Sequence, residues 1–137
     1  MREREFQTEF RKRNEVVGCF ELKLCKKTSL PFNALADHQM SALFDASCDF
    51  GLFHKITDQP VFKGSKTRFT RPKPFDCFFL ADIPSYVVVM FYVPRKKKNV
   101  YYIRIDKWID MVGSYGRKSL NEEMAIEFAT FKESYLK

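Results

Sequence analysis

Residues 19–25 alternate apolar with polar side chains, and this pattern predicts a β-strand. Because successive side chains point to opposite faces of a strand, Glu21 and Lys23 share one face. A carboxylate beside an ammonium suits metal-assisted phosphodiester cleavage, since the carboxylate can hold a divalent cation while the lysine stabilises negative charge. An exposed surface ion pair is the alternative interpretation. The other face is expected to meet the core through its apolar side chains: Phe20, Leu22 and Leu24.

The periodicity of the remaining chain predicts alternating helices and strands. Phe6 and Phe10 are four residues apart, the spacing of a narrow apolar stripe on a helix. Helices are expected over 2–14, 33–46 with Asn33 as N-cap, and 120–136 after a capping box at Ser119 and Glu122, with a helical turn over 106–112. Strands are expected over 19–25, 50–56, 74–80, 85–93 and 100–105. This order predicts one α/β (α+β) domain, a mixed sheet flanked by helices.

Composition and charge favour a globular protein with a polyanionic partner. The chain has 137 residues, of which 45% are apolar, and carries a net charge of +7. Nucleic acid is the simplest such partner, and solubility is the alternative reason for the charge. The predicted DNA contacts fall in three basic groups, which lie after the 19–25 strand, in a long loop at 57–73 and in a hairpin: Lys26 and Lys27; Lys63, Lys66, Arg68, Arg71 and Lys73; Arg95, Lys96 and Lys97. The hairpin group is equally consistent with a solvated turn.

No apolar run reaches the roughly 18 residues of a membrane span, so no membrane partner is expected. The charged N-terminus lacks the apolar segment of a signal peptide. We therefore expect a cytoplasmic protein with its four cysteines as thiols: Cys19, Cys25, Cys48 and Cys77.

Four further polar residues occupy positions that need explaining. Asp76 lies within the strand predicted over 74–80, where aspartate is disfavoured unless the strand is at an edge. Gln39 interrupts the apolar stripe of the 33–46 helix, so a buried amide there needs a partner. Glu5 and Glu9 form a second row on the first helix, which a solvated helix face also explains.

The order of these signals resembles the PD-(D/E)XK nuclease superfamily. The resemblance rests on Phe20-Glu21-Leu22-Lys23, Ser29-Leu30-Pro31-Phe32, Asp37-His38-Gln39 and Gly51-Leu52-Phe53, and covers roughly residues 2–105. The His-Gln helix after the Glu-x-Lys strand is most similar to the Holliday-junction-resolvase branch, which includes phage recombination nucleases. A restriction-endonuclease-like core is therefore implied.

The resemblance also implies roles for individual residues. Glu21 matches the superfamily's metal-binding acid, Lys23 its catalytic lysine, and Gln39 the glutamine that this branch places behind the active site. The first helix of the superfamily often supplies another glutamate, a position open to Glu5 or Glu9.

One departure from the superfamily pattern concerns its metal-binding aspartate, which normally precedes the Glu-x-Lys strand. The nearest substitute here is Asp76, about 50 residues downstream. A permuted arrangement, with the 74–80 strand beside residues 19–25, would bring Asp76 within about 3–5 Å of Glu21, close enough to share one Mg²⁺.

The implied function is a Mg²⁺-dependent endodeoxyribonuclease, with Mn²⁺ as a substitute, that resolves Holliday junctions as a homodimer in DNA recombination, repair or phage DNA processing. A phage-encoded enzyme would act in the host cytoplasm. Three alternatives stay open: a nuclease of the same fold that acts on flaps, single strands or damaged duplex, a non-catalytic DNA-binding protein, and a protein whose partner is not nucleic acid.

Overall fold

The computed structural model describes residues 1–55, 77–114, 116 and 118–135. The elements in these ranges, in chain order, are α1 (Glu3–Arg13), β1 (Cys19–Cys25), β2 (Ser29–Pro31), a 3₁₀ turn (Phe32–Ala34), α2 (Asp37–Ser47), β3 (Leu52–Lys55), β4 (Cys77–Leu80), β5 (Ser85–Phe91), β6 (Lys98–Arg104), α3 (Ile105–Ser114), β7 (Ser119–Asn121), α4 (Glu122–Phe128) and β8 (Phe131–Tyr135).

A four-stranded mixed sheet with the strand order β1-β5-β6-β8 forms the centre of the described fold. β1 and β5 are parallel, while β6 is antiparallel to both β5 and β8. Every residue of β5 is buried, as expected for an apolar strand covered on both faces. Two short antiparallel pairs, β2 with β7 and β3 with β4, lie outside this sheet. The predicted α+β fold with a mixed sheet flanked by helices is confirmed.

Helices cover the two faces of the sheet with different cores. On one face, the α1 side chains Phe6 and Phe10 pack with Tyr86, Val88 and Tyr102. The core of the other face joins the sheet to α2, α3 and α4 through the fully buried Trp108, Met111 and Ala125, and through Leu43. In the described sheet, β1 lies at one edge, and its Phe20, Leu22 and Leu24 side chains pack against the α1 core.

The predicted first helix and the first strand are confirmed. α1 buries Phe6 and Phe10, and its ends carry charges that suit the helix dipole, acidic in the first turn and basic in the last. β1 has the predicted bounds, Cys19–Cys25. The apolar side chains on its α1 face are partly buried against that core: Phe20, Leu22 and Leu24.

The second helix begins later than predicted, and its cap is not Asn33. The exposed Asn33 belongs to the 3₁₀ turn, and Ala36 is the N-cap of α2. Ala36 has no side-chain acceptor, but the Gln39 side chain accepts a hydrogen bond from the Ala36 backbone N–H at 3.0 Å. Gln39 therefore supplies the reach-back half of a capping box, a role that the sequence analysis had not assigned to it.

The prediction of a final helix over 120–136 is wrong. Asn121 caps the short helix α4 by accepting from the Met124 backbone N–H at 2.9 Å, and the chain then forms β8. β8 pairs with β6, its Tyr135 is buried, and Phe131 packs against the Tyr102 ring. The helical turn predicted over 106–112 is part of the longer helix α3.

The pairing predicted for the 74–80 strand is not found in its described residues, 77–80. In the described residues of this segment, β4 pairs with β3, in a register that sets Phe53 opposite Phe79. The described partner of β1 is β5. The strand pairing that the permuted arrangement requires is therefore absent from residues 77–80, and Asp76 lies outside the described residues. In the described ranges, no helix is both long enough and apolar enough to cross a membrane.

Candidate active site

Glu21, Lys23 and Gln39 form a closed set of polar contacts, which we call the polar ring. The Gln39 Nε2 donates to Glu21 Oε1 at 3.0 Å, and the Lys23 Nζ donates to Gln39 Oε1 at 3.2 Å. The Lys23 Nζ also lies 3.5 Å from Glu21 Oε1. The structure therefore brings together three residues that are separated by up to 18 positions in sequence.

Two elements position these side chains. The alternation of β1 sends Glu21 and Lys23 toward α2, opposite Val87 and Val89 of the buried strand β5. Gln39 projects from the first turn of α2, where its Oε1 also accepts from the Ala36 backbone N–H. Because that oxygen faces an N–H and an ammonium, and the amide nitrogen faces a carboxylate, the network fixes the orientation of the amide.

The polar ring is half-buried and keeps one acceptor available. The exposed fraction is 15% for the Lys23 side chain and 29% for the Glu21 side chain. In the described part of the chain, the hydrogen bond and the ion pair of Glu21 both use Oε1, and Oε2 has no partner among these residues. A carboxylate oxygen of this kind is a suitable ligand for a hard divalent cation or an acceptor for a bound water.

The two candidate glutamates of α1 do not join the polar ring. Glu5 is exposed and accepts from the Arg2 backbone N–H, which is the main reason that the pKa of Glu5 is lowered. Glu9 pairs with Arg13 at 3.2 Å and with Lys12 at 3.7 Å. Among the described residues, no group of three or more His, Cys, Asp or Glu side chains is arranged to hold a metal. The prediction that Glu5 or Glu9 completes a site with Glu21 therefore finds no counterpart in these residues.

Two basic segments meet at the edge of the sheet where β1 ends. The Tyr92 backbone N–H donates to the Cys25 carbonyl at 2.8 Å, so the segment after β1 lies beside the hairpin between β5 and β6. The exposed basic side chains at this edge, which we call the basic edge, are Lys26, Lys27, Arg95, Lys96 and Lys97. The other predicted DNA contacts, Lys63, Lys66, Arg68, Arg71 and Lys73, lie outside the described residues.

Arg95 has an unusual backbone conformation at the tip of the hairpin. Its φ angle is +62°, in the left-handed region that favours glycine, and it follows Pro94 in a turn closed by the Lys96 N–H and the Val93 carbonyl at 3.3 Å. A non-glycine residue in this region costs about 1 kcal/mol or more. Lys98 belongs to the strand instead, where it is buried with its ammonium 5.4 Å from the centre of the Tyr92 ring.

Sequence reasoning missed one flank of α1, beside its contact with β1. A cleft of about 490 Å³ lies along the two elements there, and Gln7 and Arg11 line it together with Glu21. The signal was the placement of Gln7 and Arg11 one position after the buried Phe6 and Phe10, which sets them on one flank of the apolar stripe.

Comparisons with protein-family models, curated proteins and solved structures found no match. The case for a nuclease therefore depends on the residues of this chain and on the geometry of the polar ring.

Proposed function

We propose that this protein is a metal-dependent DNA endonuclease, and specifically a structure-selective nuclease that cuts four-way junctions. The polar ring is the observation that carries the proposal. It combines a carboxylate with a free oxygen, an ammonium held beside it and an amide that orients both. The resemblance to the PD-(D/E)XK pattern points to the same three residues.

Magnesium is the metal that this donor set would suit. Mg²⁺ is commonly held by one or two carboxylates, with waters and substrate phosphate oxygens completing its ligands. Glu21 Oε2 would supply one carboxylate, and Asp76, outside the described residues, is proposed as a second. When bound, the metal polarises the scissile phosphate and lowers the pKa of a bound water.

The protein side chains have separate roles in this proposal. Glu21 holds its position by accepting a hydrogen bond from the Gln39 amide through Oε1, and Oε2 has no partner among the described residues. Lys23 supplies a positive charge where charge develops on the phosphate in the transition state. Gln39 is a positioning residue, since it contacts both partners and is anchored on the Ala36 N–H.

The basic edge supports DNA as the substrate. Its five exposed lysine and arginine side chains come from two segments that the fold brings together next to the end of β1. Contacts of this kind bind phosphates without reading the sequence, which suits an enzyme that selects DNA by shape. The strained Arg95 backbone also fits this interpretation, because strained positions cluster at functional sites.

A non-catalytic DNA-binding protein is the second candidate. It is favoured by the observation that the described residues bring one acid, Glu21, and no further acid into the polar ring. On this alternative, the polar ring is a structural ion pair and the basic edge alone carries the function.

A cleavage assay distinguishes these candidates. The substrates are a labelled four-way junction, a linear duplex, a flap and a single strand, each with Mg²⁺, Mn²⁺ or EDTA. Wild type is compared with Lys23→Ala and Asp76→Asn, and with Lys107→Ala as a control for an exposed lysine on α3. Paired nicks that need metal and are lost in Lys23→Ala, but kept in Lys107→Ala, support the resolvase.

The other outcomes of this assay assign the alternatives. Cleavage confined to flaps, single strands or damaged duplex indicates a nuclease with another substrate. Tight, salt-sensitive junction binding without cleavage indicates the non-catalytic protein, and weak, salt-insensitive binding indicates a partner other than nucleic acid. The mass of the free protein in solution tests the accompanying proposal of a cytoplasmic homodimer that presents two sites to one junction.

A further inference from the structure

The cleft between α1 and β1 has donors that no other part of the described structure uses. Residues from α1 line one wall, and residues from β1 line the other: Gln7, Phe10, Arg11 and Asn14; Phe20, Glu21 and Leu22. Asn14 is already engaged, because it bonds to the Val16 backbone and accepts from the Tyr102 hydroxyl. Gln7 and Arg11 make no hydrogen bond or ion pair within the described ranges, so their amide and guanidinium N–H groups are free to bind a ligand.

The two flanks of α1 differ in how their charges are used. On one flank, Glu9 pairs with Lys12 and Arg13, so these charges neutralise one another. On the cleft flank, Arg11 is exposed and has no such partner in the described structure. An unpaired guanidinium beside an unpaired amide favours an anionic ligand, and phosphate is the anion that arginine recognises with two parallel hydrogen bonds.

The other wall of the cleft also offers polar groups. In the described sheet, β1 is an edge strand, so one side of its backbone lacks a strand partner. Glu21 belongs to this wall of the cleft, while its carboxylate points to the α2 face of β1, where it forms the polar ring.

We propose that the α1–β1 cleft is a phosphate-binding subsite for the DNA backbone, with Arg11 and Gln7 as its contacts. This inference rests on the proposed function and names a second surface that holds the DNA, on the face of β1 opposite to the polar ring. The positive charge and free donors of the cleft favour a nucleic acid over a peptide strand added to the edge of β1.

The test measures binding separately from cleavage. Junction affinity is measured by fluorescence anisotropy in EDTA over a range of salt concentrations, for wild type, Arg11→Ala, Gln7→Glu and the control Lys12→Ala from the opposite flank of α1. Single-turnover cleavage in Mg²⁺ is measured on the same set. Arg11 is exposed, so the variant is expected to fold, and circular dichroism checks this.

We expect Arg11→Ala to weaken junction binding roughly tenfold, the size of a lost charge-assisted hydrogen bond. The slope of log K against log salt is expected to become shallower by about one, the value for one lost phosphate contact. Gln7→Glu is expected to weaken binding further, because the new carboxylate repels the phosphates. Lys12→Ala is expected to change binding by less than about twofold, because its charge is already paired with Glu9.

Separate results would overturn the subsite and the proposed function. If wild type cleaves junctions while Arg11→Ala and Lys12→Ala bind alike, the subsite is wrong and the nuclease stands. If Arg11→Ala alone loses binding and wild type cleaves nothing, the subsite stands and the nuclease is wrong.

Discussion

The two faces of strand β1 differ in chemistry and in what they contact. On the α1 face, Phe20 packs edge-to-face on Phe10 at 5.1 Å and stacks on Tyr86 at 5.8 Å between ring centres. On the α2 face, Glu21 and Lys23 contact a glutamine and keep part of their surface in solvent. One strand therefore carries an aromatic layer on one side and a polar ring on the other.

Because of this difference, we expect the α1 face of β1 to contribute mainly to stability and the α2 face mainly to chemistry. Aromatic side chains on the α1 face remove large apolar areas from water, which is the dominant stabilising contribution to folding. A half-buried ion pair adds little net stability, because desolvation offsets most of the attraction between the charges. We therefore expect substitutions on the α1 face to change the free energy of unfolding, and substitutions on the α2 face to change cleavage.

The largest effect is expected for Phe6→Ala on the aromatic side. Phe6 is fully buried and lies edge-to-face against Phe10 and Tyr135. Its truncation is expected to lower the free energy of unfolding by about 3–5 kcal/mol, measured by urea denaturation. Phe50→Ala, at a side chain that is 61% exposed, serves as the control and is expected to change stability by less than about 0.5 kcal/mol. Equal losses in the two variants would contradict this description of the core.

The next largest effect is expected for Gln39→Glu on the polar side. A second carboxylate at the position of an amide 3.0 Å from Glu21 sets two like charges side by side, so the pair binds a shared proton more readily than Glu21 does alone. Cleavage at pH 7 is expected to fall by about tenfold or more and to recover partly at higher pH. His38→Ala, at the neighbouring exposed position, is the control. A loss of cleavage that does not vary with pH would indicate that Gln39 has a structural role only.

A smaller effect is expected from removing the hydroxyl groups of two neighbouring tyrosines on opposite faces of β6. The Tyr102 hydroxyl donates to Asn14 Oδ1 at 3.0 Å, so Tyr102→Phe is expected to cost about 1 kcal/mol. The buried Tyr101 hydroxyl has no hydrogen-bond partner in the described structure, and burial together with the nearby Glu122 carboxylate raises the pKa of Tyr101 to about 12. Tyr101→Phe is expected to leave the melting temperature unchanged or raise it, and a loss as large as that of Tyr102→Phe would contradict this.

The smallest effect is expected for Glu133→Gln on β8. Burial raises the pKa of Glu133 above its usual range, although the nearby Tyr102 hydroxyl opposes the shift. Because the folded-state pKa is the higher one, wild-type stability is complete below the pKa of the unfolded chain and declines as the pH rises through the folded-state pKa. Glu133→Gln is therefore expected to melt at a higher temperature than wild type at pH 7 and to show no advantage near pH 4. The same difference in melting temperature between Glu133→Gln and wild type at pH 7 and near pH 4 would contradict the raised pKa of Glu133.

The sequence predicted the elements that have strong local periodicity. The alternation in residues 19–25 and the Phe6/Phe10 spacing identified β1 and α1, and the alternation also set Glu21 and Lys23 on one face. The C-terminal prediction failed because Ser119 lies in β7, and the helix is capped by Asn121, two residues later. Asn121 starts a helix of seven residues, and its end leaves the alternating residues 131–135 free to pair with β6.

The contacts that close the polar ring depend on tertiary structure. Periodicity identified Gln39 as an amide in need of a partner, but the partner is set by how α2 packs against β1. The cleft side of α1 was likewise hidden, because Gln7 and Glu9 both adjoin the apolar stripe and sequence alone does not distinguish its two flanks. The local sequence pattern therefore identified the candidate residues, and tertiary packing determines which of them are in contact.

The most direct test of the polar ring as a metal-dependent site is Mn²⁺ binding to the protein mixed with a four-way junction, followed by electron paramagnetic resonance. Wild type, Glu21→Gln and Lys23→Ala would be compared. We expect Glu21→Gln to lose most of the bound Mn²⁺, because Glu21 supplies the free carboxylate oxygen. Lys23→Ala should keep or increase Mn²⁺ binding, since it removes a neighbouring positive charge. Equal Mn²⁺ binding by wild type and Glu21→Gln would contradict the account.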